Sequence, residues 1–374
     1  HIAVQKKVTL KEVISMVKLS LFPIWCWPQP QDATQFKMLC VKLHHCLCII
    51  ITICLAAPLI YAITNHFDEP EIFVNLIPIT IGLIHGSFNF FIHIINHHHI
   101  QVINNVTFKM VNFSGLMKPH EEVLIQRYID KCVVFYGASI FTFYVAMFFA
   151  IAIPLITEQT FPTLAEYPFD VSYQPLKTVI YIQQSACGIL LTGQLCTNVF
   201  MALLLWFATA RFEILSVELG KATNINQLYK CIKKHQELLE YSKEVALVVR
   251  PFAFTSVCCS SISVIIIFLL FVTKQPVAIT FLCFGLSITC ILEVFMYTWP
   301  AEHLMFMCHN VAQAAFSILE NSHLINLVEI QKCLQIIIMR SQKPVMISIP
   351  CLLPTLSLNY FRSVRSSFKL VKKN

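Results

Sequence analysis

Long stretches without a charged side chain, repeated along the chain, constrain its fold more than any other feature. They occur at residues 43–63, 72–95, 133–156, 179–207, 251–273 and 275–299, the last interrupted only by Glu293, and a shorter run closes the series at 344–361. A hydrocarbon layer about 30 Å thick takes roughly 20 apolar residues in a helix. Six runs meet that length. The seventh sits near the lower limit, and its prolines at 344, 350 and 354 remove backbone donors that neighbours or a water-lined cavity must replace. Continuous apolar runs also lack the alternation that an outer-membrane barrel requires. Only 13% of the chain is charged and 57% is hydrophobic, against about a quarter charged in soluble domains. The fold class expected is all-α: a polytopic membrane protein with seven transmembrane helices.

Lys and Arg beside the spans set orientation. Residues 1–42 carry Lys6, Lys7, Lys11, Lys18, Lys37 and Lys42, whereas NHFDEPE after the first run has three acids and no Lys or Arg. The later loops alternate in the same sense, which places the N terminus in the cytosol and the end of a seventh span outside. The sequons at Asn105 and Asn112 and the basic residues of 362–374 run against this placement. The opening HIAVQKKVTLKEVISMVKLS has no apolar core ahead of a cleavage site and predicts a short amphipathic interfacial helix. In 211–245, Leu228, Ile232, Leu238, Leu239 and Val245 form an apolar stripe at near-helical spacing, and 321–342 reads as another amphipathic helix. Such stripes must be buried. The fourth and fifth spans are therefore expected to continue into the cytosol as part of a helical anchor for an oligomer. The chain divides into a cytosolic segment (1–42), six spans (43–299), the anchor (300–343), a seventh span (344–361) and a basic tail (362–374).

Chemistry-bearing patterns are few. His93 and His97 have helical i, i+4 spacing, with His98 and His99 alongside and His44 and His45 in the first run, but no third ligand completes a metal set. There is no Walker loop, Gly-rich dinucleotide turn, GxSxG or HExxH. No enzyme, metal or cofactor is expected. None of the 16 cysteines falls in the three loops placed outside, so a disulfide-stapled ectodomain is not expected. Glu293 is the one acid well inside a span. An intramembrane carboxyl group is a functional candidate by default, but its closeness to Pro300 favours a structural role.

Six stretches, taken in order, resemble one family. They are FPTLAEYPFD (161–170), LLLWFATARFEIL (203–215), YKCIKKHQELLEYSKEV (229–245), YTWPAEHLM (297–305), VAQAAF (311–316) and RSQKPVMISIPCLLPTLSLNYF (340–361). The chain resembles insect odorant receptors over nearly its whole length, with hymenopteran-type ligand-tuning subunits the nearest. The resemblance implies a single domain over 1–374, a plasma-membrane location in olfactory neuron dendrites, and a subunit of an odorant-gated, non-selective cation channel. Its implied partners are a volatile odorant, membrane lipid and the co-receptor Orco in a heterotetramer, with no nucleic acid and no G protein. A loop of about 40 residues between the fourth and fifth spans is too short for Orco itself.

The resemblance also places the ligand in the outer half of the bundle, between the second, third, fourth and sixth helices, in what should be a mostly apolar cavity. Ser139, Thr142, Ala146 and Phe149 share one face of the third. Phe73 and Ile77 on the second, Tyr181 and Gln184 on the fourth, and Thr280 and Phe284 on the sixth complete the candidate set. After NYF the family continues with apolar and hydroxyl residues, whereas RSVRSSFKLVKKN brings five basic ones. Positive charge would oppose a permeant cation, so no gate residue is assigned. The alternatives are a gustatory-type channel subunit, a G-protein-coupled receptor of opposite orientation, which would call for DRY and NPxxY patterns absent here, and a transporter.

Overall fold

The computed structural model describes residues 8–29, 33–95, 102, 105–106, 108–109, 118–156, 159–272, 277–321, 328–343, 345–349 and 355–357. Among these are eight α-helices and one 3-10 turn: α1 (Leu10–Ser20), the turn Phe22–Ile24, α2 (Gln35–Asn65), α3 (Pro70–Ile95), α4 (Pro119–Ile156), α5 (Leu176–Gly220), α6 (Ile225–Val272), α7 (Val277–Asn321) and α8 (Val328–Ser341). Four helical stretches are long and apolar enough to cross a membrane among the described residues: Gln35–Asn65, Pro119–Ala152, Leu176–Gly220 and Ile225–Ser263. The architecture is that of an all-helical membrane protein. The 45 residues of α5 and the 48 of α6 rise about 68 and 72 Å, far more than one bilayer core, so both run well beyond the apolar layer, as expected.

The centre of the bundle is α5, which packs against α1, the 3-10 turn, α2, α3, α4, α6 and α7. Its sequence explains this position. Nearly every side chain from Cys196 to Ala210 is buried, and a helix apolar all round has nowhere to go but the interior. Gly193 lets the 3-10 turn approach, since a Cβ there would lie 2.9 Å from the Ile24 Cγ2. His44 and His45 hold the same turn from α2, with Nε2 atoms 2.9 Å from the Pro23 carbonyl and 3.1 Å from that of Ile24. These two histidines are hydrogen-bonded framework rather than ligands. The predicted N-terminal helix forms as α1, opened by a reciprocal Thr9–Glu12 capping box. Its buried Leu10 and Val17 pack into the main core, so its apolar face is covered by α4 and α5.

The amphipathic stripes bury against one another within the chain. Leu228, Leu238, Leu239 and Val245 of α6 are buried, as are Ile330, Cys333, Leu334 and Ile337 of α8, which packs on α7 and α6. The run at 344–361 is described only in part. Residues 345–349 and 355–357 are not helical, and the Leu356 N–H donates to the Ile347 carbonyl at 2.7 Å. No helix therefore begins within 345–349. Prolines at 350 and 354 provide the reason: each lacks an N–H and disfavours the α conformation in the residue before it. The rest of that run and the basic tail lie outside the described residues.

Candidate functional site

Helices α4 and α7 meet along a seam of aromatic side chains. Phe135 packs edge-on against Phe295 and Trp299, Tyr136 stacks over Trp299, and Trp206 of α5 meets Trp299 at 5.1 Å. Lys131 extends the seam, 5.5 Å from the Trp299 ring and 3.2 Å from His303 Nε2. Pro300 explains the polar chemistry inside it. Without an N–H, Pro300 leaves the Met296 carbonyl lacking its intrahelical donor. The Tyr136 hydroxyl donates to that carbonyl at 3.1 Å and itself accepts from Trp206 Nε1 at 3.1 Å. The proline in YTWP is thus tolerated because α4 and α5 make good the bond it breaks.

The opposite side of the same two turns of α7 is fixed by polar side chains from three other helices. Asn198 of α5 donates to Glu293 Oε1 at 3.0 Å and accepts from the Tyr297 hydroxyl at 2.5 Å. His85 of α3 places Nδ1 at 3.6 Å from Glu293 Oε1, and Ser260 of α6 reaches Oε2 at 3.5 Å. Behind His85, Ser256 lies 3.2 Å from its Nε2 and Asn89 lies 3.1 Å from it, while Thr255 donates to Asn89 Oδ1 at 2.7 Å. Glu293 therefore pairs with helices, not with a loop or the interface. A carboxyl group in an apolar span is tolerable only with such partners. The partners of Glu293 come from α3, α5 and α6, where the sequence had suggested the interface or a loop.

Along α4 the seam does not continue. The stripe that begins at Phe135 runs on through Ser139, Thr142, Ala146 and Phe149 at helical spacing. Ser139 is half-buried and bonded to the Phe135 carbonyl, Thr142 and Ala146 are exposed, and Phe149 is 60% exposed. The four residues thus share a face, and that face loses its protein cover one turn beyond the aromatic seam. Tyr181 ties α5 to α4 close by, its hydroxyl donating to the Ile151 carbonyl at 2.9 Å. Phe73 packs edge-on against Phe67 at 5.6 Å, and Ile77 is half-buried on α3. Thr280 and Phe284 lie on α7, but their side chains are outside the described residues.

Gln184 has a different use from the one expected. It is buried, its Oε1 accepts from the N–H and hydroxyl of Thr163 at 3.0 and 2.9 Å, and its Nε2 donates to the Tyr167 hydroxyl at 3.1 Å. Its amide is committed to the loop FPTLAEY. The same loop is clipped to α2, where the Glu166 N–H donates to the Pro58 carbonyl at 3.3 Å, Asn65 donates to Glu166 Oε2 at 3.1 Å, and His66 Nε2 lies 2.5 Å from Glu166 Oε1. The Glu166 hydrogen bond, helped by Glu69, raises the His66 pKa above its ordinary value. Asn65, then His66, lowers that of Glu166. The loop is therefore clasped to α2 and α5.

Other polar clusters carry less. His120, Glu121 and Glu218 bring ligand-type atoms within 4.8 Å of one another. Lys234, however, already bonds both Glu218 oxygens, and Glu121 accepts from the Lys118 N–H. His93 and His97–His99 lie outside the described side chains. The residues that sequence reasoning missed are those around Glu293 and the Tyr136–Trp206 pair. Their signal was polar residues set within several apolar runs, which can be paired only once the depths of the helices are known.

Residues 69–368 match the family model described as 7tm Odorant receptor. That match extends beyond residue 361 into the basic segment. The solved insect olfactory receptor OR5 from Machilis hrabei superposes with a TM-score of 0.74 over 97% of each chain at 17% identity. The same receptor in complex with eugenol gives a TM-score of 0.70 at 16% identity, covering 98% of this chain and 99% of that one. No curated protein matches. With a family match over most of its length, the chain belongs to the 7tm odorant receptor family.

Proposed function

We propose that this chain is the ligand-tuning subunit of an odorant-gated, non-selective cation channel. It assembles with the co-receptor Orco as a heterotetramer in the plasma membrane of olfactory neuron dendrites. It crosses the bilayer seven times with its N terminus in the cytosol, so that the loop of 159–175 faces outward and α8 inward. The observation that carries the reading is the uncovered stripe of α4 above a fixed seam, in a family whose structural relative is solved with eugenol. On this reading Ser139, Thr142, Ala146 and Phe149 line the odorant cavity. Phe73, Ile77, Tyr181, Thr280 and Phe284 contribute from the neighbouring helices, and Gln184 holds the loop rather than the ligand. A volatile molecule opens the channel only by binding the open arrangement more tightly than the closed one.

The test is whole-cell recording of the full chain expressed with and without Orco across an odorant panel. Odorant-evoked cation current that requires Orco supports the reading. Current without Orco favours a gustatory-type subunit. Saturable substrate flux in place of ligand-gated current, or G-protein-dependent signalling with a cytosolic C terminus, overturns it.

A further inference from the structure

A second opening lies away from the α4 stripe, between α6, α8 and the extended residues 345–349. It is a cleft of about 750 Å³. Four cations line it, Lys243 and Arg250 from α6 and Arg340 and Lys343 from the end of α8 and just beyond, and no carboxylate shares the lining. The contrast with nearby bases is informative: Lys109 pairs with Glu244, Arg127 with Glu213 and Lys234 with Glu218. None of the four cleft cations has an ion-pair partner among the described residues. Arg250 adds an independent sign, because its Nε is buried without a hydrogen-bond partner among them. A buried guanidinium N–H left unpaired is costly, and four like charges facing one space repel one another.

The remaining lining is apolar and open. Leu247 is 46% exposed and Met339 is 59% exposed, and Met346 stands beside them. A site with several bases and exposed hydrocarbon suits an amphiphile with an anionic head. Guanidinium groups match the oxygens of a phosphate better than those of a diffuse anion. Arg250 also directly precedes the apolar run 251–273, which puts it at headgroup level rather than deep in cytosol or lipid.

We infer that this cleft binds a phosphate ester, the headgroup of an anionic phospholipid, between Arg250, Arg340, Lys243 and Lys343, with the start of its acyl region against Leu247, Met339 and Met346. The phosphate chemistry follows from the lining alone. The lipid source, the cytosolic leaflet, rests on the orientation proposed above.

The full chain, co-purified with Orco, is placed in phosphatidylcholine nanodiscs containing a fluorescent phosphatidylinositol bisphosphate. Unlabelled lipid and soluble inositol trisphosphate serve as competitors. Neutralising one phosphate-contacting base costs about fivefold in affinity, so Arg250→Gln and Lys343→Gln each lose about fivefold and the pair more than either alone. Lys109→Gln, whose partner is Glu244, binds as the parent does. Displacement by inositol trisphosphate as strong as by the lipid keeps the site and assigns it to a free phosphate. A double variant that melts like the parent and binds the lipid within twofold of it overturns the proposal. Should Arg250→Gln not fold, Lys343→Gln and Arg340→Gln, both at exposed positions, carry the same test. Because the readout is binding, a receptor that binds in this pattern but gives no odorant current sinks the channel reading alone. One that conducts but shows no dependence on these bases sinks the lipid site alone.

Discussion

Replacing Tyr136 by Phe removes one oxygen atom and strands two buried groups. The hydroxyl donates to the Met296 carbonyl and accepts from Trp206 Nε1, and Tyr136 itself is 7% exposed. A stranded buried donor or acceptor costs about 1–3 kcal/mol. Hydrogen bonds between membrane helices average nearer 0.6 kcal/mol, with a maximum of about 1.7. Two stranded groups therefore cost about 2–3 kcal/mol. With an unfolding entropy of about 2.1 cal/mol/K per residue, the 374-residue chain loses roughly 3 °C in Tm. The sharper expectation concerns Pro300. In Pro300→Ala, residue 300 regains an N–H that can serve the Met296 carbonyl, so Tyr136→Phe then strands only Trp206 and costs about half as much. The assay is thermal unfolding of both single variants and the double variant in nanodiscs, followed by tryptophan fluorescence, since Trp206 and Trp299 report on the seam directly. A coupling of about 1–1.5 kcal/mol is expected. Additivity within about 0.3 kcal/mol would refute the argument that Tyr136 stands in for the amide that Pro300 lacks.

Three further outcomes follow from the same geometry. Asn198→Leu leaves the buried Tyr297 hydroxyl and Glu293 Oε1 without their shared partner; it should cost about 2–4 kcal/mol, most of which disappears in the Glu293→Leu background, as a double-mutant cycle on Tm would show. Ala146→Phe fills the uncovered face of α4 and should weaken the most potent odorants by about 10–200-fold in EC50, with surface delivery and Tm unchanged; an unaltered dose–response curve would remove this face from the odorant site. His235 is buried, 3.2 Å from the Ser341 hydroxyl, and burial, then the nearby Arg340, lowers its pKa from 6.5 to about 4. Because the folded value lies below the ordinary one, its contribution to stability is full above about pH 6.5 and is lost as pH falls through about 4; His235→Gln should flatten the Tm profile across that window, and an unchanged acid limb would show that other groups govern it.

Much of the fold was legible because lipid imposes a simple rule on sequence. The run at 43–63 falls inside α2 and that at 133–156 inside α4, and neither needed tertiary information. The run at 251–273 marks only part of α6, because Lys230 to Lys243 hide the helical extension from any apolar window; the stripe of Leu228, Leu238 and Val245 recovered it. At the start of the 344–361 run hydropathy and backbone chemistry pull apart: its composition suits a span, while its prolines oppose a helix over 345–349. The candidate site was legible as a face but not as a cavity. Helical spacing grouped Ser139 with Thr142, Ala146 and Phe149, yet only the structure shows that cover ends beyond Ser139. The hydrogen bond that joins Gln184 to Thr163, 21 positions away, could not be read from sequence. His85 and Ser256, 171 positions apart, could not be paired from sequence at all.

The position of the two polar features along α7 bears on how the receptor can respond. Glu293 and Tyr297 are fixed on one side and Phe295 and Trp299 on the other, so the helix is held at a single level by α3, α4, α5 and α6. From Val277 to Glu293 the helix rises about 24 Å, and from Trp299 to Asn321 about 33 Å. A ligand that displaces the first arm by about 1 Å would move the second by roughly 1.4 Å in the opposite sense if the helix were rigid, and the second arm packs on α8. Pro300 sits between the arms, where a missing intrahelical bond would make the lever bend instead. The Tyr136–Met296 bond restores a constraint at that point, but from α4, the helix whose uncovered stripe forms the proposed odorant cavity. On the proposed function, ligand contact and lever stiffness would meet on one helix, three residues apart at Tyr136 and Ser139. Tyr136→Phe should accordingly lower the maximal odorant-evoked current more than it shifts EC50, because it loosens transmission while leaving the lining intact. A pure shift in EC50 with full maximal current would place Tyr136 in binding alone.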